Sequence, residues 1–260
     1  ALGAGRPDLA IMAGQAAFEE SLSGEDYRLA RDLCPAQEWQ ALQRQLLKLL
    51  MDAPYAYDRL DILLDEGRVE DAMAIDADWV ADQARALLED MPVAAFKIGM
   101  LGSVENIAAI AEIISDYPEI PLILDPVLAS GRGDELASED MIAAMRELLL
   151  PQTTLLTPNS LEARRLAQDE ENDDDHPDLA ECARRLIGAG AEFVLITGTH
   201  EHSAQVVNTL YGENGLIRAD SWERLPGSYH GSGCTLASAI AANLANGLDI
   251  AEAVRDAQDY

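Results

Sequence analysis

His230-Gly231-Ser232-Gly233-Cys234-Thr235-Leu236 sets a cysteine behind two glycines, where a loop turns into the Ala-rich run 236–245. A glycine-rich turn entering a helix gathers unpaired backbone N–H groups and the positive end of the helix dipole in one small volume, which stabilises an oxyanion. A cysteine placed there can become a thiolate. Together these features suit phosphoryl transfer, in which amides hold the charge of the moving group while a base takes a proton from the attacking hydroxyl.

Three more segments carry polar residues or glycines behind short apolar runs: Lys97-Ile98-Gly99-Met100-Leu101-Gly102-Ser103, Leu124-Asp125-Pro126-Val127 and Leu156-Thr157-Pro158-Asn159-Ser160-Leu161-Glu162. The paired glycines let backbone approach a flat ligand. Asp125, Asn159 and Glu162 offer the oxygen donors that Mg²⁺ takes, directly or through water. Each residue also has a plain structural reading. An Asp after a strand serves as a turn or cap residue, Glu162 can be the N3 partner of Asn159, and Cys234 can be a small buried hydrophobe. Lys97 reads as a strand residue whose stem lies along apolar surface, and Met100 as core. The order of the signals, at successive strand ends and finishing in an anion-binding turn, favours chemistry.

The elements that must position these residues begin near 74–78. Before that point apolar residues recur at helical spacing: Trp39, Leu42, Leu46, Leu49 and Leu50 form one stripe, and Leu60, Leu63, Leu64, Val69, Ala72 and Met73 another. Residues 1–75 therefore read as a helical segment, a small hairpin with one degenerate likeness to tetratricopeptide-type repeats at 66–72. From residue 76 helices alternate with short strands. Helices are expected at 76–89, 104–115, 138–149, 160–167, 180–188, 236–246 and 251–257. Strands are expected at 93–98, 121–124, 153–156 and 193–196, followed by a hairpin at 205–211 and 215–220. This alternation predicts an α/β fold with a mainly parallel sheet flanked by helices, whose ligands collect at the carboxyl ends of the strands. Asp169–Asp175, nearly all acidic, reads as a solvated loop.

The chain has 260 residues, a net charge of −29 and only two lysines, Lys48 and Lys97. Such a surface repels nucleic acid and anionic membranes, so an anionic ligand needs clustered amides or Mg²⁺ to offset the global field. The composition fits a salt-adapted organism as well as an acidic face in an ordinary bacterium. Cys34, Cys182 and Cys234 lie far apart without metal spacing, which argues for reduced thiols. With neither a membrane-length apolar run nor a signal-peptide pattern, the expected location is cytoplasmic.

From residue 76 to 260 the chain resembles the hydroxymethylpyrimidine/phosphomethylpyrimidine kinases of thiamine biosynthesis, within the ribokinase-like superfamily. The resemblance rests on KIGMLGS at 97–103, LDPVLASGRGD at 124–134, LLPQTTLLTPNSLEA at 149–163, LITGTH at 195–200 and HGSGCTLASAIAA at 230–242. It implies ATP- and Mg²⁺-dependent phosphorylation of a hydroxymethylpyrimidine and its monophosphate. Cys234 would be the base, with the amides of Gly231, Ser232 and Gly233 as the anion hole. Met100 and Val127 would face the pyrimidine. Asp125, Asn159 and Glu162 would organise Mg²⁺ and the ATP phosphates, with Asp125 and Glu162 serving the metal, and Thr197 and Gly198 would line the nucleotide site. The resemblance also allows a homodimer, which exposed sheet edges would encourage.

Relatives begin with a strand and a GSDxSGGAG-like segment that has no counterpart in residues 1–75, and they usually continue past the helix begun at 251. A mosaic, truncated or fused chain would each give this pattern. Two alternatives accompany the kinase reading: pyridoxal kinase-like activity, and a non-catalytic nucleotide-binding or scaffold relic.

Overall fold

The computed structural model describes residues 7–52, 62, 63, 66, 76–129, 135–168, 177–226 and 231–259. The chain divides into two compact units, Ala1–Ala74 and Ile75–Tyr260.

In the first unit, α1 (Pro7–Ser21), α2 (Gly24–Leu33) and α3 (Ala36–Asp52) enclose Phe18, Tyr27, Ala30, Leu42, Leu46, Leu47 and Leu50. Ser23 caps α2 by accepting the N–H of Asp26 at 3.1 Å. Tyr27 stacks edge-on against Phe18 at 5.4 Å and Trp39 at 5.6 Å, contacts that add to its burial. The hairpin expectation left out α1, whose apolar positions are largely Ala and spread around the helix, and α2, a short helix that buries Tyr27 and Ala30. The α3 stripe also differs by one member: Leu49 is 40% exposed and Leu47 is buried in its place. Of the second expected stripe only Leu63 is described, and it is buried.

The second unit opens with α4 (Ala77–Asp90), capped by Asp76. There follow β1 (Phe96–Ile98), α5 (Val104–Ser115), β2 (Leu122–Leu124), α6 (Glu139–Ala144), β3 (Leu155–Leu156), α7 (Ser160–Ala167), α8 (Leu179–Gly188) and β4 (Phe193–Ile196). β5 (Gln205–Gly212) and β6 (Gly215–Glu223) form a hairpin, and α9 (Ser232–Ala245) and α10 (Ile250–Asp259) complete the unit. Between α6 and β3 the chain continues as a π turn at Met145–Leu149 and a 3₁₀ turn at Leu150–Gln152. The six strands lie in the order β1-β2-β3-β4-β5-β6, with β1 to β4 parallel and β5 antiparallel to both β4 and β6.

Strand alternation divides the core. Leu122, Leu124, Leu156, Val194 and Ile196 face the cluster that includes α5 to α8, whereas Ile123, Leu155, Leu195 and Leu210 face α9 and α10. Lys97 pairs in register with Ile123. It therefore lies on the α9 side of the sheet, and Asp125, two residues beyond Ile123, lies on the same side.

Two expectations are corrected. The first and third strands are shorter than expected, because Val93–Ala95 and Thr153–Thr154 are outside the ladder elements. The helix expected from Leu236 starts at Ser232, so Cys234 lies within its first turn. Gly231, at φ 80°, makes the left-handed entry that allows the earlier start.

Candidate active site

The carboxyl ends of β1 and β2 build the floor of the site. Lys97 sends its ammonium along β1 across Gly99, where an added Cβ would lie 2.8 Å from Nζ. It ends 3.3 Å from Oδ2 of Asp125, with side-chain exposures of 21% for Lys97 and 8% for Asp125. Asp125 is held beside β1 by its N–H, which donates to the Ile98 carbonyl at 2.9 Å. Oδ2 of Asp125 is buried and has no aligned hydrogen-bond donor, so the ion pair leaves acceptor capacity there.

Cys234 joins this pair from the first turn of α9. Residues 231–235 are exposed, yet shielding of the sulfur raises the Cys234 thiol above its ordinary range. Hydrogen bonding and charge from Asp125 add to that rise, and Lys97 acts against it. In the free protein burial and Asp125 thus work against a standing thiolate at Cys234. Gly231, Ser232 and Gly233 form the entry to α9, where first-turn N–H groups have no intrahelical acceptor. His230 lies outside the described residues, as do residues 130–134 and Asp169–Asp175.

The ends of β3 and β4 build a wall by a different logic. Asn159 caps α7, its Oδ1 accepting from Leu161 N–H at 2.9 Å and Glu162 N–H at 3.0 Å. Glu162 returns the bond: Oε2 accepts the Asn159 N–H at 2.9 Å, and Oε1 accepts the Leu128 N–H at 3.3 Å. The capping reading of this pair is therefore present in full. Glu162 is nevertheless pushed up to about 7, mainly by burial, with the charge of Asp125 adding to it against the two backbone bonds.

A hydrated Mg²⁺ suits these donors. Both Glu162 oxygens are occupied by backbone, Asp125 retains an unfilled buried oxygen, and a nearby cation would relieve the strain of charging both carboxylates. Asp125 and Glu162 would hold such an ion through its water shell.

Thr197 bridges to Asn159, with its N–H donating to Pro158 O at 2.9 Å and its carbonyl accepting from Ser160 N–H at 3.1 Å. Gly198 is buried and gives its N–H to Oδ1 of Asn208 at 3.2 Å. An added Cβ at Gly198 would sit 2.3 Å from the Val207 carbonyl, so packing against β5 requires glycine here. The loop that follows borders an open cleft of about 470 Å³ lined by Thr199, His200, Glu201, His202, Ser203 and Arg224. Met100, 40% exposed, lies in the turn behind β1, and Val127 follows Asp125 in a tight turn with its N–H on the Asp125 carbonyl at 2.9 Å.

The family model for phosphomethylpyrimidine kinase matches residues 62–260. The chain belongs to that family. It is 35% identical over 191 residues to the hydroxymethylpyrimidine/phosphomethylpyrimidine kinase of Rhizobium meliloti, a match covering 72% of this chain and 69% of that protein. It is 38% identical over 182 residues to the thiamine biosynthesis bifunctional protein ThiED of Geobacter sulfurreducens, with 70% of this chain but 37% of that longer protein covered.

Among solved structures, the ADP complex of Bacillus subtilis pyridoxal kinase superposes with a TM-score of 0.62 at 29% identity, covering 72% of this chain and 69% of that one. Phosphomethylpyrimidine kinase from Clostridium difficile gives 0.60 at 30%, covering 72% and 75%. The family fold is thus ribokinase-like, as the sheet order and flanking helices indicate.

Two residues beside these segments carry no strong signal in the sequence. Lys97 reads as a plain strand residue, marked only by being one of two lysines and by standing two residues before a glycine at a strand end. Arg224 belongs to no motif, and its contacts with the loop after β4 arise only when β6 folds beside it.

Proposed function

We propose that this chain transfers the γ-phosphoryl group of ATP to the hydroxymethyl oxygen of a hydroxymethylpyrimidine, and to the phosphate of its monophosphate, in thiamine biosynthesis. The observation that carries the reading is the meeting of Lys97, Asp125 and Cys234 at the N-terminus of α9. In the first reaction the Cys234 thiol gives its proton to the Asp125 carboxylate that it faces, and the sulfur takes the proton of the attacking hydroxyl as the oxygen bonds to the γ-phosphorus and ADP leaves, while the amides of Gly231, Ser232 and Gly233 receive the charge of the moving phosphoryl group. Lys97 favours the thiolate, and substrate bound over Cys234 excludes water from this relay. Asp125, Asn159 and Glu162 organise hydrated Mg²⁺, which when bound neutralises phosphate charge. Met100 and Val127 present backbone to the ring, and Thr197 and Gly198 border the nucleotide.

Kinship with the pyridoxal kinase of Bacillus subtilis supports pyridoxal as a second substrate to test. Purified protein with Mg·ATP should release ADP in response to hydroxymethylpyrimidine, and pyridoxal should compete if both use this pocket. Nucleotide binding without ADP release from either substrate would favour the non-catalytic reading. Among the described residues no helix is long and apolar enough to cross a membrane, in keeping with the proposed cytoplasmic location.

A further inference from the structure

We infer that Arg224 is a positioning residue for the nucleotide, acting through the loop 198–203; the inference rests on the kinase reading of this site. The guanidinium, half-buried behind β6, donates to the carbonyls of Gly198 at 3.4 Å, Thr199 at 2.7 Å, Glu201 at 2.8 Å and Ser203 at 3.0 Å. One planar side chain therefore sets the orientation of four peptide groups along the cleft. On its other side the same loop is fastened by Arg164 of α7, whose two terminal nitrogens bind Glu201 at 2.8 and 3.2 Å. Arg164 holds the Glu201 carboxyl down at about 2.

Arg224 differs from Arg164 in its partners. Among the described residues no carboxylate is ion-paired with it, and its bonds end on neutral carbonyls. In a chain of net charge −29 it leaves an uncompensated positive charge at the rim of the cleft, where an anionic ligand would otherwise meet repulsion. Arg224 also lies seven residues before Gly231, so it ties the loop after β4 to the strand leading toward the anion turn. The geometry and the charge point to one ligand class, the phosphates of an adenine nucleotide. A lysine keeps the charge but cannot span four carbonyls with a planar fork.

The test is calorimetric binding of ADP with Mg²⁺ to wild type, Arg224→Ala, Arg224→Gln and Arg224→Lys, with hydroxymethylpyrimidine binding and melting temperature measured on each. Arg224→Ala and Arg224→Gln should weaken ADP by ~10-fold or more, the scale of losing charge-assisted hydrogen bonds. Arg224→Lys should recover part of the loss, and pyrimidine affinity should stay within about twofold of wild type on the same physical argument.

ADP affinity unchanged in Arg224→Ala, or ADP and pyrimidine weakened together, overturns the inference. If Arg224→Ala does not fold, Arg224→Lys decides: full ADP affinity in a folded lysine variant overturns the role of the fork. Wild type that binds ADP without phosphorylating either substrate defeats the kinase reading and leaves this inference to the affinities. Wild type that binds no ADP defeats both.

Discussion

The floor and the wall of the site use the same residue types in opposite ways. On the floor, Lys97, Asp125 and Cys234 interact with one another, and none of these side chains is occupied in holding up a helix. On the wall, Asn159 and Glu162 spend their oxygens on backbone N–H groups, and Thr197 and Gly198 are fixed by neighbouring strands. A floor substitution should therefore change chemistry, and it should cost stability only where it leaves buried Asp125 without its ion-pair partner. A wall substitution should appear first as lost stability.

The largest expected effect is on the floor. Cys234→Ser should lower pyrimidine-dependent turnover by ~10²-fold or more, the usual worth of a positioned general base, with little change in melting temperature. Unchanged turnover would remove Cys234 from the mechanism. Lys97→Met comes next, because it leaves Asp125 as a buried charge without its partner. Breaking such a pair costs about 3 kcal/mol, and the double variant Lys97→Met/Asp125→Asn should recover most of that loss. Denaturant unfolding of both variants checks it, and a double variant as unstable as the sum of the single ones would show that the two residues act independently.

Glu162→Gln probes the boundary between the regions. Burial raises Glu162 from an ordinary 4.5 to about 7, so between those values the folded protein binds more protons than the unfolded chain. Its contribution is fully present below about 4.5 and is lost as pH rises through about 7, up to about 3 kcal/mol in all. In EDTA, wild type should lose stability relative to Glu162→Gln between pH 5 and 7.5; parallel profiles would contradict the raised carboxyl. In turnover, Glu162→Gln should also raise the Mg²⁺ requirement, whereas an equal requirement would confine Glu162 to capping. The smallest effect belongs to the wall. Asn159→Ala should cost ~1 kcal/mol of unfolding free energy, the usual loss of an N-cap.

Much of the second unit was legible because its signals are local. Ser103, Ser138 and Asn159 precede helices that they cap, and α5 and α7 begin and end where their apolar spacing and caps place them. Asp125 and Glu162 do follow the ends of β2 and β3, as the apolar runs before them indicate. The entry to α9 was read too late because Ser232, Gly233 and Thr235 are weak helix formers, and the left-handed turn at Gly231 overrides their propensity. Gly198 was assigned to the nucleotide from its motif, while its need for glycine arises from Val207 on another strand. Lys97 and Arg224 were opaque for the same reason: their partners stand 28 residues downstream and 21 to 26 residues upstream, so only the folded sheet brings them together.

The central claim, that the Lys97–Asp125–Cys234 floor carries phosphoryl transfer to a pyrimidine alcohol, is tested most directly by coupled ADP release from Mg·ATP. Wild type and Cys234→Ser would be compared with and without hydroxymethylpyrimidine, at low and high salt. The account predicts ADP release by wild type that depends on the pyrimidine and is nearly abolished in a folded Cys234→Ser variant. Folded wild type that releases no ADP at either salt concentration, or a serine variant that keeps full turnover, would contradict it.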